Sequence, residues 1–249
     1  MRAIGVIPAR WGATRFEGKI IANLLGKPVI QHVWENAKKA KTLDDLVVAC
    51  DDERIMKAVE SFGGKAVYTS PNQPSGTDRL AEVVNPLNVD IAVNIQGDEP
   101  LMKSIMIDNL VLSLEEDKAA QMATMMKRIE DDSELTNSNV VKVVTDKNGY
   151  AVYFSRYAIP YNRTSETDPR KRPVYYKHIG IYAFTKDFLF QFRNLPHSAL
   201  ENAEKLEQLR ALENGYKIKV VETKFDTIGI DRPEDIKRAE DALLREREK

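Results

Sequence analysis

The chain has 249 residues, with 37 Lys and Arg against 38 Asp and Glu, and so a formal net charge of −1. That balance excludes the domain-wide basic excess that nucleic-acid binding demands, because phosphate neutralisation dominates such contacts. No run approaches the roughly 18 apolar residues that cross a bilayer, the first residues hold too short an apolar stretch for a secretory signal, and the lone Cys50 can build neither a disulfide framework nor a multi-thiolate metal site, which fits a reducing cytoplasm.

Residues 2–8 form a short apolar run stopped by Pro8, as in a buried strand. A helix is expected over 28–40, with Pro28 in its first turn and Val29, Ile30, Val33 and Ala37 at helical spacing. Leu46 to Cys50 is strand-like and ends in Asp51-Asp52; a helix from about 53 to 62 stops before Gly63-Gly64, and residues 65–69 give a further strand. Ser75-Gly76-Thr77-Asp78 has the Ser-x-x-Asp form of a helix start, followed by the apolar face of Leu80, Ala81, Val83, Val84 and Leu87. Asp90 to Gln96 is a strand running into Gly97-Asp98-Glu99-Pro100. This alternation predicts an α/β fold, a Rossmann-like mixed but mainly parallel sheet flanked by helices.

After residue 120 the pattern turns β-rich. Residues 122–129, 140–145 and 150–154 read as strands, the last two as a hairpin about Asp146-Lys147-Asn148-Gly149. A polar, proline-containing loop is expected at 162–173, then a strand at 175–184, helices near 186–193 and 199–214, a strand at 216–223 and a helix at 233–248. The whole of 1–249 reads as a single domain in which 120–185 is a smaller β-rich insert, forming a second wall of a cleft.

Ligands of open α/β sheets collect at the carboxyl ends of the strands, and four loops there carry unusual residues. The first, residues 8–19, places Arg10, Arg15 and Lys19 beside two glycines, a composition able to wrap a polyphosphate. It has neither the P-loop nor the dinucleotide glycine spacing, and a solvated basic turn is the alternative. The second, residues 73–79, opens a helix whose N-terminus attracts anions or carbonyl oxygens, although a plain cap explains it equally. The third is Gln96-Gly97-Asp98-Glu99-Pro100. A carboxylate directly after a buried strand needs a positive partner, and Mg²⁺ bridging to phosphates is a natural one; an Asp-led turn is the bland reading. In the fourth, Asp231 precedes Pro233, as helix caps do. As a pair, Asp98 and Asp231 could share one cation.

At these loops the chain closely resembles the 3-deoxy-manno-octulosonate cytidylyltransferases (CMP-Kdo synthetases). The carrying motifs, in order, are Pro-Ala-Arg-x3-Thr-Arg-x2-Gly-Lys, Ser-Gly-Thr-Asp-Arg-Leu-Ala-Glu-Val, Gln-Gly-Asp-Glu-Pro and Gly-Ile-Asp-x-Pro-Glu-Asp. Tyr153-Phe154-Ser155-Arg156, His178-Ile179-Gly180-Ile181-Tyr182 and Leu206 to Arg210 add to it, so the likeness runs from residue 4 to about 240. It departs in the first loop, where Ala13 stands for the usual Ser, and Phe16-Glu17 and Ile20 replace Leu-Pro and Pro; no cation is lost.

The resemblance implies a Mg²⁺-dependent nucleotidyltransferase that converts CTP and Kdo into CMP-Kdo and pyrophosphate for lipopolysaccharide biosynthesis. It further implies a homodimer built through the β-rich region; the cytoplasmic location and the lack of a nucleic-acid or membrane partner are expected from the cysteine count, charge and apolar runs above. Arg10, Lys19, Asp98 and Asp231 would be catalytic, the two aspartates as metal ligands. Ala9, Arg10, Arg15, Lys19, Ser75, Gly76, Thr77, Arg79, Gln96 and Asp98 would bind the nucleotide. Gln96, Arg156, His178, Tyr182, Glu207 and Gln208 would form the Kdo pocket, although His178 and Tyr182, four apart on one strand face, also suit core packing. A cytidylyltransferase for a related acid sugar (a sialate or amino-Kdo) and a non-catalytic nucleotide-binding module are the competing readings. Both aspartates and all three loop cations are present, which favours catalysis.

Overall fold

A computed structural model describes residues 1–12, 15–163 and 173–247. Ala13 and most of the loop expected at 162–173 therefore lie outside the described residues.

The elements run β1 (Ala3–Ala9), a 3-10 turn at Lys19–Ile21, the small hairpin β2 (Asn23–Leu24) and β3 (Lys27–Pro28), α1 (Val29–Ala37), β4 (Asp45–Cys50), α2 (Glu53–Ser61), β5 (Ala66–Tyr68), α3 (Gly76–Val84) and β6 (Ile91–Asn94). There follow α4 (Ser104–Glu116), β7 (Met122–Arg128), α5 (Ser133–Thr136), β8 (Lys142–Thr145), β9 (Ala151–Ser155), β10 (Tyr176–Thr185), α6 (Lys186–Asn194), α7 (Ala199–Glu204), α8 (Gln208–Glu213), β11 (Ile218–Glu222) and α9 (Pro233–Arg247).

The main sheet has the order β11-β7-β10-β6-β1-β4-β5, with β8 paired to β10 and β9 to β8. β1 pairs in parallel with β4 and β6, and β4–β5 and β7–β11 are also parallel, whereas β10 runs antiparallel to its neighbours β6, β7 and β8. Both faces are covered. Along β1, Ala3, Ile7 and Ala9 join one cluster with Ile30, Val33, Ile55, Met106 and Leu110 from α1, α2 and α4. Ile4 and Val6 point the other way, to Leu80, Val84, Phe188, Phe192 and Leu209 from α3, α6 and α8. A strand buried on both faces reads as a continuous apolar run, which is why β1 shows no alternation in sequence. The chain leaves β1 for β4 on one side and returns to β6 on the other, so a crevice opens at the carboxyl end of β1.

Two expectations are corrected, and one helix was not expected at all. The helix α4 has no counterpart in the sequence reading, although its buried Ile107, Leu110, Val111 and Leu114 fall at helical spacing. The stretch 120–185 does not stand apart as an insert: β7 and β10 lie inside the main sheet, and only the β8–β9 hairpin branches from it. The helix expected over 199–214 is broken at Lys205, whose φ of 54° and ψ of 48° are left-handed.

Candidate active site

The first loop is closed at its base by backbone hydrogen bonds. Trp11 N–H donates to Asp51 Oδ1 (3.0 Å) at the end of β4, and Gly18 N–H donates to the Trp11 carbonyl (3.2 Å). Gly18 is left-handed (φ 68°), and a Cβ there would meet the Trp11 ring at 3.0 Å, so this turn needs glycine. The closure directs Arg10, Arg15 and Lys19 into one cavity of about 400 Å³, whose opposite side holds Gln96, Asp98 and Asp231.

Two carboxylates 133 positions apart meet there because Ile230 N–H donates to the Asp98 carbonyl (2.9 Å), while the Ile230 side chain is fully buried. Lys19 Nζ lies 2.5 Å from Asp98 Oδ2 and 3.0 Å from Asp231 Oδ1, and Arg15 Nη2 lies 2.9 Å from Asp231 Oδ2. Burial works against the Lys19 ammonium, but the Asp98 and Asp231 carboxylates outweigh it and hold its pKa above the ordinary lysine value. Asp231 does not act as the side-chain cap of α9. Asp235 Oδ2 accepts from the N–H groups of Asp231 (3.0 Å) and Arg232 (2.9 Å), which leaves the Asp231 carboxylate to the cavity. Gly97 is required by close approach, since a Cβ would sit 2.8 Å from the Pro8 carbonyl oxygen.

The nucleotide-loop residues separate into two groups. Gly76 lines the cavity. Ser75 Oγ accepts from Asp78 N–H (3.1 Å) and caps α3, and Thr77 Oγ1 donates to Glu207 Oε2 (3.0 Å). Arg79 cannot touch a ligand: it has no solvent exposure, pairs with Asp51 Oδ2 (3.0 Å) and donates to Thr69 Oγ1. The sequence expectation for Arg79 is thus corrected, because its helical position turns it under the loop into the core. Ala9 likewise packs its side chain into the core, so only its backbone can meet a nucleotide.

On the other side of the cavity, β7 and β10 slip register between Ile179 and Tyr182. Gln96 Nε2, at the cavity edge, donates to the Gly180 carbonyl in this irregular stretch (3.0 Å). His178 and Tyr182 share a face, their rings 5.5 Å apart, with Phe154 4.9 Å from the imidazole. Thr124 Oγ1 lies 2.8 Å from both His178 Nε2 and the Ile181 carbonyl oxygen, and 3.2 Å from the Ile179 carbonyl oxygen, so one hydroxyl ties the imidazole to the irregular stretch of β10. Burial pushes the imidazole down to about 3 and keeps it neutral. Tyr182 donates to Gln208 Oε1 (3.2 Å), and burial raises its phenol pKa; Gln208 Nε2 is buried with no protein partner. Burial also raises the Glu207 pKa.

The guanidinium of Arg156, expected in the Kdo pocket, donates to the carbonyls of Glu204 (2.7 Å), Ser138 (3.0 Å) and Lys205 (3.4 Å) and stays partly exposed. Two groups at the site were not singled out from sequence. Asp51 obeys the same logic as Asp98, a carboxylate at the end of a buried strand. Glu99, hydrogen-bonded to Thr227, is pushed up to about 8 by burial and by the neighbouring Asp98 charge, and nothing in its local sequence announces that.

A doubly covered, mainly parallel sheet with cations and paired carboxylates at the carboxyl end of β1 is the build of a nucleotidyltransferase, and residues 4–218 match the family described as cytidylyltransferase. Within that class, a 3-deoxy-manno-octulosonate cytidylyltransferase of Thermodesulfovibrio yellowstonii is 52% identical, the alignment covering 98% of each chain. One from Geotalea uraniireducens is 48% identical over 98% of this chain and 99% of its own. A solved CMP:2-keto-3-deoxy-manno-octonic acid synthetase complexed with CTP superposes with a TM-score of 0.92 at 39% identity, over 99% of this chain and all of that one. The chain belongs to the 3-deoxy-manno-octulosonate cytidylyltransferase family. A 4-diphosphocytidyl-2C-methyl-D-erythritol synthase of Anaerococcus prevotii, 18% identical with a TM-score of 0.63 over 98% of each chain, shares the fold alone.

Proposed function

We propose that this chain transfers CMP from CTP to the anomeric hydroxyl of Kdo, giving CMP-Kdo and pyrophosphate. The observation that carries the reading is the convergence of Arg10, Arg15 and Lys19 with Asp98 and Asp231 on one cavity at the end of β1. The cations hold the triphosphate and offset the charge that builds on the departing pyrophosphate, so catalysis is chiefly positioning and electrostatics. Cytidine lies against the Ser75–Thr77 turn, where Gly76 admits close approach, and Arg79 supports that turn from beneath.

Mg²⁺ is assigned to Asp98 and Asp231. Both carboxylates reach a single ammonium, at 2.5 and 3.0 Å, so they are spaced to share one cation. An ion held there would take the two carboxylates and complete its shell with phosphate and water oxygens. When bound, the ion neutralises α-phosphate charge and lowers the pKa of the attacking hydroxyl.

The acceptor side consists of Gln96, His178, Tyr182, Glu207 and Gln208. Neutral His178 is a hydrogen-bonding group here, and the unpartnered Gln208 amide supplies a donor suited to a polyhydroxy acid. The active form is a cytoplasmic homodimer, associated through the region 120–185, where Val152, Tyr157 and Val174 are exposed. The free, buried Cys50 suits a reducing compartment, and no helix among the described residues is long and apolar enough to cross a membrane. The decisive experiment is pyrophosphate release assayed with CTP, Mg²⁺ and a panel of α-keto acid sugars. Release that requires Kdo is expected, and its failure with Kdo present overturns the reading.

A further inference from the structure

The loop that carries Arg10, Arg15 and Lys19 runs from Pro8 to Pro28 without another proline, so no ring fixes its backbone. Its last part is a tight turn over residues 16–19. Lys19 N–H donates to the Phe16 carbonyl (3.3 Å), Gly18 is left-handed (φ 68°, ψ 14°), and Glu17 keeps a negative φ. That combination is a type II turn with Glu17 and Gly18 as its two central residues. Glycine stands where a positive φ requires it. The first central position, where proline would pre-set φ, holds a glutamate instead.

Trp11 engages both central residues. Its carbonyl accepts from Gly18 N–H (3.2 Å), and its indole Nε1 donates to Glu17 Oε1 (2.7 Å). The indole is held in turn. The Arg54 guanidinium lies 3.5 Å over its ring, and a bidentate contact with Asp52 (2.8 and 2.7 Å) fixes that guanidinium. Asp52 itself caps α2 by accepting from Arg54 N–H (2.9 Å). A chain of contacts therefore runs from the start of α2 through Arg54 and Trp11 to Glu17. Two residues beyond Glu17, Lys19 Nζ meets Asp98 and Asp231 across the cavity, and the next side chain, Ile20, is buried. The residues that line the cavity include Arg10, Arg15 and Lys19 but neither Trp11 nor Glu17.

We propose that the Trp11–Glu17 hydrogen bond is a positioning device for the nucleotide: it fixes the turn at 16–19 and so sets Lys19 against the triphosphate. The inference rests on the reading of Lys19 as a triphosphate-binding residue. Its discriminating property is that proline at position 17 fixes the same turn through its ring and makes the bond dispensable.

The test is steady-state kinetics of the full chain with CTP, Mg²⁺ and Kdo, for Trp11→Phe, Glu17→Pro, the double variant and Glu17→Gln. Phenylalanine keeps a ring beneath Arg54 and beside Gly18 while losing the N–H donor. A surface hydrogen bond to a carboxylate corresponds to roughly fivefold in an equilibrium. Trp11→Phe is therefore expected to raise KM for CTP about fivefold and to leave KM for Kdo unchanged. Glu17→Pro is expected not to raise KM for CTP, and Glu17→Gln, which keeps an acceptor oxygen, measures the effect of the lost charge alone. With Glu17→Pro already present, adding Trp11→Phe changes KM for CTP by less than about twofold. A rise that persists in the double variant shows that Trp11 acts otherwise than through the turn and overturns the proposal. An unchanged KM for CTP in Trp11→Phe, or an equal rise in KM for Kdo, overturns it too. Should Glu17→Pro itself raise KM for CTP, Glu17→Ala takes its place: adding Trp11→Phe then leaves KM where Glu17→Ala put it, and additive rises overturn the proposal. An unchanged KM for CTP in Lys19→Met instead removes the reading of Lys19 on which the inference stands.

Discussion

Asp98 and Asp231 each face the Lys19 ammonium, so replacing either carboxylate by an amide keeps size and shape while halving the negative charge offered to a cation. Asp98→Asn and Asp231→Asn are each expected to lower kcat by on the order of 10² or more and to raise the Mg²⁺ concentration needed for half-maximal rate. Rate measurements across a Mg²⁺ titration check this, and an undiminished rate in either variant excludes a shared ion. His178 makes a different expectation. Its native pKa is pushed down to about 3 by burial, against about 6.5 in the unfolded chain, so between those values the unfolded state binds the proton and the native state does not. The contribution is fully present above pH 6.5 and is lost as pH falls toward 3, on the order of 1 kcal/mol per pH unit. Urea unfolding from pH 7 to 4 should show a shallower acid loss for His178→Phe than for the unmodified chain. The pH profile of kcat should show no limb from this imidazole between pH 5 and 8.

Elements position these side chains by close backbone approach. Gly97 lets the segment after β6 pass the end of β1, where an added methyl would lie 2.8 Å from the Pro8 carbonyl. Gly97→Ala is expected to destabilise by about 1–3 kcal/mol and to weaken CTP binding, because Asp98 moves with its neighbour; thermal unfolding and CTP titration by calorimetry check both. The Asp51–Arg79 pair joins the end of β4 to α3 and also seats Trp11 at the base of the cationic loop. Asp51→Ala strands a guanidinium that has no solvent exposure, at a cost of about 3–5 kcal/mol. For a chain of this length that lowers Tm by about 10 °C, measurable by scanning calorimetry. Element by element, legibility followed periodicity. The two-sided apolar strand β1 and the Ser75 cap of α3 stand out in sequence, whereas the α7–α8 break does not, because no glycine marks it and the carbonyls it exposes are met by Arg156 from a distant strand.

At the scale of the whole molecule, the average charge of −1 conceals a sorting of charges onto facing loops at one sheet edge. In the proposed reading, that sorting lets a chain with no net positive charge hold an anionic nucleotide beside an anionic sugar. The proposed homodimer predicts a sedimentation-equilibrium mass of about 57 kDa, twice the 28.3 kDa chain. Tyr157→Asp, on the exposed β-rich region, should shift it toward monomer. The residue string by itself determined the class of fold, through the order of its apolar runs, and the chemistry on offer, through cations, glycines and carboxylates placed just after those runs. Only the tertiary structure decided which of these side chains meet. Arg79 and Arg156 carry the same charge as Arg10, yet one is buried against Asp51 and the other donates to helix-end carbonyls. Local sequence sets what a side chain can do. Its partner is set by chain segments as far as a hundred residues or more away, such as Ile230 on Asp98, and those are fixed only when the sheet closes.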